Sequence, residues 1–225
     1  MSSELKTISD AIKPVLTELG YRRKGNTFYK VSGSFAFCVM VEHPGLYYAR
    51  YYLIPLYMPQ DQVCLTYGKR FRHWWDGNGD VTLFISQVID GIREEVIPFF
   101  QQINSPARLL AFLRQDDGSV RPCFDCPRFR CSLLAAYTAL TLHDSQAFHS
   151  AVSETREFWS EAAAHYTRNA AESFEAELTN LEQLTLRSDA EIDQLFQDRV
   201  LQAAQKLFPN YRKARQQCAN GDGSL

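Results

Sequence analysis

The sequence predicts an α+β fold: an antiparallel meander sheet packed by helices, followed by an all-α C-terminal part with one long helix. Three observations carry this. Residues 27–57 alternate side-chain character with the period of two of a strand, interrupted at Gly33 and at Pro44-Gly45. Residues 132–208 contain neither proline nor glycine, the two residues that most readily end a helix. The charge also changes sign along the chain: residues 1–130 hold 16 Lys and Arg against 13 Asp and Glu, a balance of +3, and residues 131–225 hold 8 against 13, a balance of −5.

Leu5, Ile8, Ile12, Val15, Leu16 and Leu19 recur at helical spacing, and Gly20 stands where a left-handed C-terminal cap belongs. Pro14 lies inside this first helix and removes one backbone hydrogen bond, which predicts a kink or break near Lys13. A basic turn, Arg22-Arg23-Lys24-Gly25-Asn26, leads to strands over 27–31, 34–41 and 46–57, with a fourth near 62–67. The second of these sets Phe35, Phe37, Val39 and Val41 against Ala36, Cys38 and Met40, so it reads as a central strand covered on both faces. The third carries Tyr47, Tyr48, Tyr51, Tyr52 and Tyr57, a residue type suited to a half-wet sheet face.

Asp80 is a candidate N-cap for a helix through Phe84, Val88, Ile92 and Val96 that should end around Pro98. Ser105-Pro106 opens a short helix that Asp116-Asp117-Gly118 stops. The division this predicts is a sheet domain over 1–122, a joint over 123–131, a helical part over 132–217 and a disordered tail over 218–225. Within the helical part, a helix over 132–142 precedes a long one whose stripe runs Phe148, Val152, Trp159, Ala163, Tyr166, Ala170, Phe174, Leu178 and Leu181. Ser188 and Glu191 form a capping box for a last helix through Ile192, Phe196, Val200 and Leu207.

Composition narrows the function classes. No apolar run approaches the roughly 20 residues needed to span a bilayer, and the first residues are polar rather than signal-like, so no membrane association and a cytoplasmic location are expected. Cys38 and Cys64 lie in apolar strand-like runs, consistent with reduced thiols. A net charge of −2 argues against a dedicated, strongly basic nucleic-acid binder.

Four patterns bear on chemistry. Cys123 and Cys126, with Cys131 beyond, have the spacing of a partial zinc site, yet no second pair completes it. A redox pair and plain, partly buried thiols are the other readings, and the last leads, so no metal is expected. Arg22, Arg23 and Lys24, and the run Lys69 to Trp75 with Arg70, Arg72, Trp74 and Trp75, interleave cations with aromatics as phosphate contact plus ring stacking requires. The ordinary alternative is a solvated basic turn beside two tryptophans that anchor a loop. The region between Leu142 and Leu186 holds eight Asp and Glu against Arg156 and Arg168, either a solvated outer face or a docking surface for a basic partner. Finally, no nucleophile elbow, zinc-protease helix, phosphate loop or dinucleotide fingerprint is present, so no cofactor and no catalytic residue is expected.

The stretch Leu19-Gly-Tyr-Arg-Arg-Lys-Gly-Asn-Thr-Phe-Tyr-Lys30 resembles the opening of the bacterial "domain of unknown function 4304" family. Trp74-Trp75 before a helix, Val96-Ile-Pro-Phe-Phe100 and Ile103-Asn-Ser-Pro-Ala107 resemble its later segments, so the likeness spans about residues 4–145. The resemblance implies a small bacterial cytosolic α+β protein, with no established activity or catalytic residues to carry over and with some members near toxin–immunity or defence genes. The expectation is a non-catalytic binding protein of immunity or adaptor type acting through protein–protein contact. Tyr48 and Tyr52 of the tyrosine-rich sheet, or the acidic helical arm, would supply its contact surface. A nucleic-acid-associated protein using the basic–aromatic residues is the alternative, and an uncharacterised enzyme with a dispersed site the second alternative.

Overall fold

The computed structural model describes residues 3–59, 65–115 and 124–207. Helix α1 (Ser3–Glu18) buries Ile8, Ile12 and Leu16 completely, and their spacing of four keeps all three on one stripe. It passes through Pro14 without the predicted break. Pro14 is on the exposed side, so water can meet the carbonyl deprived of its donor. Gly20, at φ 83°, ends the helix while the Tyr21 N–H reaches back to the Leu16 carbonyl at 2.9 Å.

Five strands follow: β1 (Arg22–Lys24), β2 (Thr27–Ser32), β3 (Phe35–Glu42), β4 (Tyr47–Pro55) and β5 (Tyr67–Trp75). They form one antiparallel sheet in sequence order, the predicted meander. Two elements differ from expectation. The residues 22–24 are not a turn: Lys24 pairs with Thr27, leaving Gly25-Asn26 as the turn and the cations on an edge strand. The fourth strand expected near 62–67 instead begins at Tyr67 and takes in the whole basic–aromatic run, which is therefore sheet rather than loop; residues 62–64 lie outside the described ones. Aromatic residues favour a pleated, half-buried surface, and that preference outweighs the run's polarity.

Alternation gives the sheet two unlike faces. Phe28, Phe35, Phe37, Val39, Val41, Tyr51, Leu53 and Phe71 belong to the main core. Over them pack α1, α2 (Val81–Gly91, with Asp80 capping the Thr82 N–H), α3 (Ile97–Gln102) and α4 (Pro106–Arg114). The helix at Pro98 does not end there. A π-helical turn, Ile92–Val96, shifts the register so that Pro98 falls in the first turn of α3, where its missing N–H goes unused. On the second face Ala36, Cys38, Tyr52, Ile54 and Leu56 meet Ala203, Ala204 and Leu207. These come from the end of α8 (Asp189–Leu207), opened by the Ser188–Glu191 box.

Helix α5 (Arg128–Thr141) starts inside the predicted joint and is buried along Ser132–Leu140. Thr138 Oγ1 donates to the Leu134 carbonyl at 2.6 Å, so the Tyr57 hydroxyl is the donor in its 2.7 Å bond to Thr138. That bond ties the end of the sheet to the helices, and one buried cluster runs from α1 to α8 across the joint. The stripe read as one long helix is two, α6 (Ser145–Ala162) and α7 (Arg168–Gln183), separated by a 3₁₀ turn at Ala163–His165. Thr167 caps α7 through the Ala170 N–H. The fold-back lets Trp159 stack on Phe174 with centroids 4.4 Å apart and Phe129 beside both, whereas a single helix of about 65 Å would leave the stripe without a partner. The predicted tail, 218–225, lies outside the described residues. Among the described residues no helix is long and apolar enough to cross a membrane.

Candidate binding face of the sheet

The second face is built from alternate residues of four strands, and the end of α8 covers part of it, including Cys38 and Tyr52. Register aligns Glu42, Tyr48 and Trp74 in one row, Met40, Arg50 and Arg70 in the next, and Tyr29, Cys38, Tyr52 and Gly68 in a third. A β-bulge between Tyr48 and Arg50 separates the first two rows on the β4–β5 side and re-aims the residues around it.

Trp74 is the most exposed tryptophan position, at 52%. Next to it Arg70 lies over the Tyr48 ring with Cζ 4.8 Å from the centroid, and Arg50 lies at 5.7 Å. Tyr52 donates to Glu42 Oε1 at 2.9 Å, and Arg50 Nη1 reaches the Tyr52 oxygen at 3.5 Å, while buried Arg50 Nε has no hydrogen-bond partner among the described residues. Burial first, and Glu42 beside them, raise both Tyr48 and Tyr52 above the ordinary phenol range, so both remain neutral donors. Arg72 is exposed and shares the parity of Arg70 and Trp74. The result is a surface of ring faces and guanidinium groups with Glu42 as the carboxylate woven into its hydrogen bonds.

The sequence-predicted residues divide across the sheet. Tyr48, Arg70, Arg72 and Trp74 come together on the open half. Tyr52 is on the same face but 3% exposed, its ring lying over Gly68, so it supports the surface from beneath. Arg22 and Lys24 share this face at the far edge, four strand spacings or about 19 Å from β5. Arg23 is on the opposite face, where it pairs with Asp10, donates to the Gly25 carbonyl at 2.6 Å and covers Phe28. Trp75 also faces the core, 5.0 Å from Tyr47 and 6.4 Å from Phe84, with its N–H donated to the Asn78 carbonyl. Arg50 and Glu42 were missed, although the alternation along β3 and β4 would have put them beside Tyr48.

The other predicted contact surface, the acidic region, is largely occupied within the molecule. Glu182 takes Arg156 at 2.7 and 3.2 Å, Glu177 takes Arg130 at 3.3 Å, Glu172 takes Arg168 at 2.7 Å, and Glu175 accepts from the Trp159 indole at 2.5 Å. Cys126 and Cys131 are half-buried with their sulfurs 3.4 Å apart, and Cys123 lies outside the described residues. Among the described residues no three His, Cys, Asp or Glu side chains are placed to hold a metal ion.

Comparison with family models, with curated proteins and with solved structures finds no match to this chain. The likeness read over residues 4–145 thus stands on its motifs alone.

Proposed function

We infer that this is a non-catalytic binding protein, of the immunity or adaptor type, that acts through protein–protein contact at the open half of its sheet. The observation that supports the reading is a half-exposed tryptophan beside an arginine stacked on tyrosine, on the rigid face of a five-stranded sheet. Trp, Tyr and Arg are the residues that dominate binding energy at protein interfaces, because Trp and Tyr present a large, stiff surface and Arg a planar fork of donors. The face also carries Arg50, Arg70 and Arg72 against Glu42, so the partner it fits is acidic.

Affinity recovery from the native host with the wild-type chain and with a Trp74→Ala/Arg70→Glu variant tests this. The wild type should retain a stoichiometric acidic protein that rebinds as a purified component, and the variant should bind it at least about a hundredfold more weakly. A monomeric mass with no stoichiometric partner counts against the reading.

A second reading rests on the edge cations. Arg22 and Lys24 at one edge and Arg70 and Arg72 at the other share the face with Tyr29, Tyr48 and Trp74, a layout that suits a single nucleic-acid strand lying across the sheet. It requires a mobility shift of single-stranded RNA or DNA at low salt that weakens steeply as salt rises. Absence of a shift at low salt removes it.

A further inference from the structure

A cleft of about 870 Å³ is lined by residues of α7 and α8, by Tyr137 of α5 and by Pro59. That volume is within the ordinary range of small-molecule sites. The helical period explains its walls. In α7, Phe174, Leu178 and Leu181 turn inward, so Ser173, Glu177 and Asn180, three or four residues apart, face the cleft, and Leu184, just past the helix, continues the row. From α8 come Leu195 and Arg199, one turn apart, and from the connection between the helices come Leu186 and Arg187.

Its charges are unbalanced. Arg130 rests on the Phe174 ring at 5.0 Å and satisfies Glu177 from the deep side, at 3.3 Å. Among the described residues neither Arg199 nor Arg187 has a carboxylate within ion-pair distance. Among the described residues Arg199 makes one long hydrogen bond, 3.4 Å, to the Tyr57 carbonyl, and its guanidinium lies 5.7 Å from the centre of the Phe196 ring. Burial pulls the Arg199 guanidinium below its usual range, and Arg187, close enough to repel it, acts in the same direction. Glu177, held by Arg130, acts on Arg199 only from beyond ion-pair distance, and a half-buried guanidinium with no carboxylate in close contact is a costly arrangement that a bound anion relieves. The apolar half of the lining points the same way: Leu186 is 85% exposed at the mouth, beside Leu184 and Leu195.

We propose that this cleft is a binding site for a small organic anion, whose oxyanion group is held between Arg187 and Arg199 and whose apolar body lies on Leu184, Leu186 and Leu195. The planar, forked guanidinium suits both carboxylate and phosphate oxygens, and Asn180 supplies an amide to orient the rest. The site shares no residue with the sheet face, so each stands or falls separately.

Titration calorimetry of the full chain with phenyl phosphate, benzoate and inorganic phosphate decides it. One aryl anion should bind with a stoichiometry of one, the better of the two identifying the oxyanion, and inorganic phosphate should bind at least about tenfold more weakly for want of an apolar body. Arg199→Gln and Arg187→Gln should each weaken the aryl anion at least about tenfold, while Trp74→Ala leaves it unchanged. Arg187 is exposed, so its variant folds and carries the test even where Arg199→Gln does not. No heat from either aryl anion at millimolar concentration, or affinity unaltered in Arg187→Gln, overturns the proposal.

Discussion

The two faces of the sheet are made by neighbouring residues of the same strands, yet they hold different things. The odd-numbered face of β3 and β4 is sealed: Phe37 is 4.5 Å from the Phe100 ring, and Tyr51 meets Phe71, Phe99 and Phe100 edge-on. Among the described residues the even-numbered face is covered only where the end of α8 reaches it, and beyond that Arg50 and Arg70 lie over the Tyr48 ring, with Trp74 opposite Tyr48 in the register. Identical backbone therefore supports a core and a surface, and the covering elements decide which is which. A face with rings and cations that no helix among the described residues covers is available to another molecule.

The comparison breaks if truncation costs the same on both faces. Phe37→Ala removes a ring packed among Phe35 and Phe100 at 5% exposure and should cost about 3–5 kcal/mol in denaturant unfolding. Trp74→Ala, on the open half, should change stability by less than about 1 kcal/mol while abolishing binding.

The boundary between the covered and open halves is sharpened by Gly68, where a methyl group would overlap the Tyr52 ring. Gly68→Ala should cost about 1–3 kcal/mol through overpacking and displace the Tyr52 hydroxyl from Glu42. Thermal unfolding measures the first effect, and partner affinity of the folded variant the second. At the far end of β4, Tyr57→Phe should cost about 1 kcal/mol in denaturant unfolding, because Thr138 keeps its own donor bond to Leu134 when the tyrosine hydroxyl is lost.

Periods and caps made much of this fold legible. The spacing of Ile8, Ile12 and Leu16, the left-handed Gly20, the Asp80 cap, the Ser188–Glu191 box and the alternation of Phe35 to Val41 are local signals, and a helix or strand stands at each, although the Asp80-capped helix gives way to the π turn at Ile92 and not to an end at Pro98. What local signals do not carry is the choice between two partners for one stripe. Trp159 and Phe174 continue a single helical period, and their ring contact across the Ala163–His165 turn accompanies the division of the helix, with Thr167 capping the second part. The candidate sites follow the same rule. Tyr48, Arg70, Arg72 and Trp74 stood out by residue type. Glu42 and Arg50 needed strand register, and Arg187 and Arg199 needed the tertiary cleft, since nothing in sequence marks an arginine as lacking a close ion pair.

The basic run in β1 offers the smallest and most selective version of the comparison. Arg23 faces the helices and pairs with Asp10, which Lys6 also holds at 2.8 Å, whereas Lys24, one residue on, is exposed on the other face. Hydrogen bonds from Lys6, then Arg23, lower the Asp10 carboxyl from its ordinary 3.8 to about 2. A carboxyl depressed in the folded state binds its proton more readily when unfolded, so its contribution is full above the unfolded value and is lost as pH falls from about 4 towards 2. The pair is exposed and screened, so the effect is small and should shrink further in high salt. Arg23→Gln should flatten the fall in stability across that acid window, while Lys24→Gln leaves the profile unchanged. Equal profiles for the two variants would mean that neighbouring cations of β1 do the same work, and that the two faces are less distinct than their contacts imply.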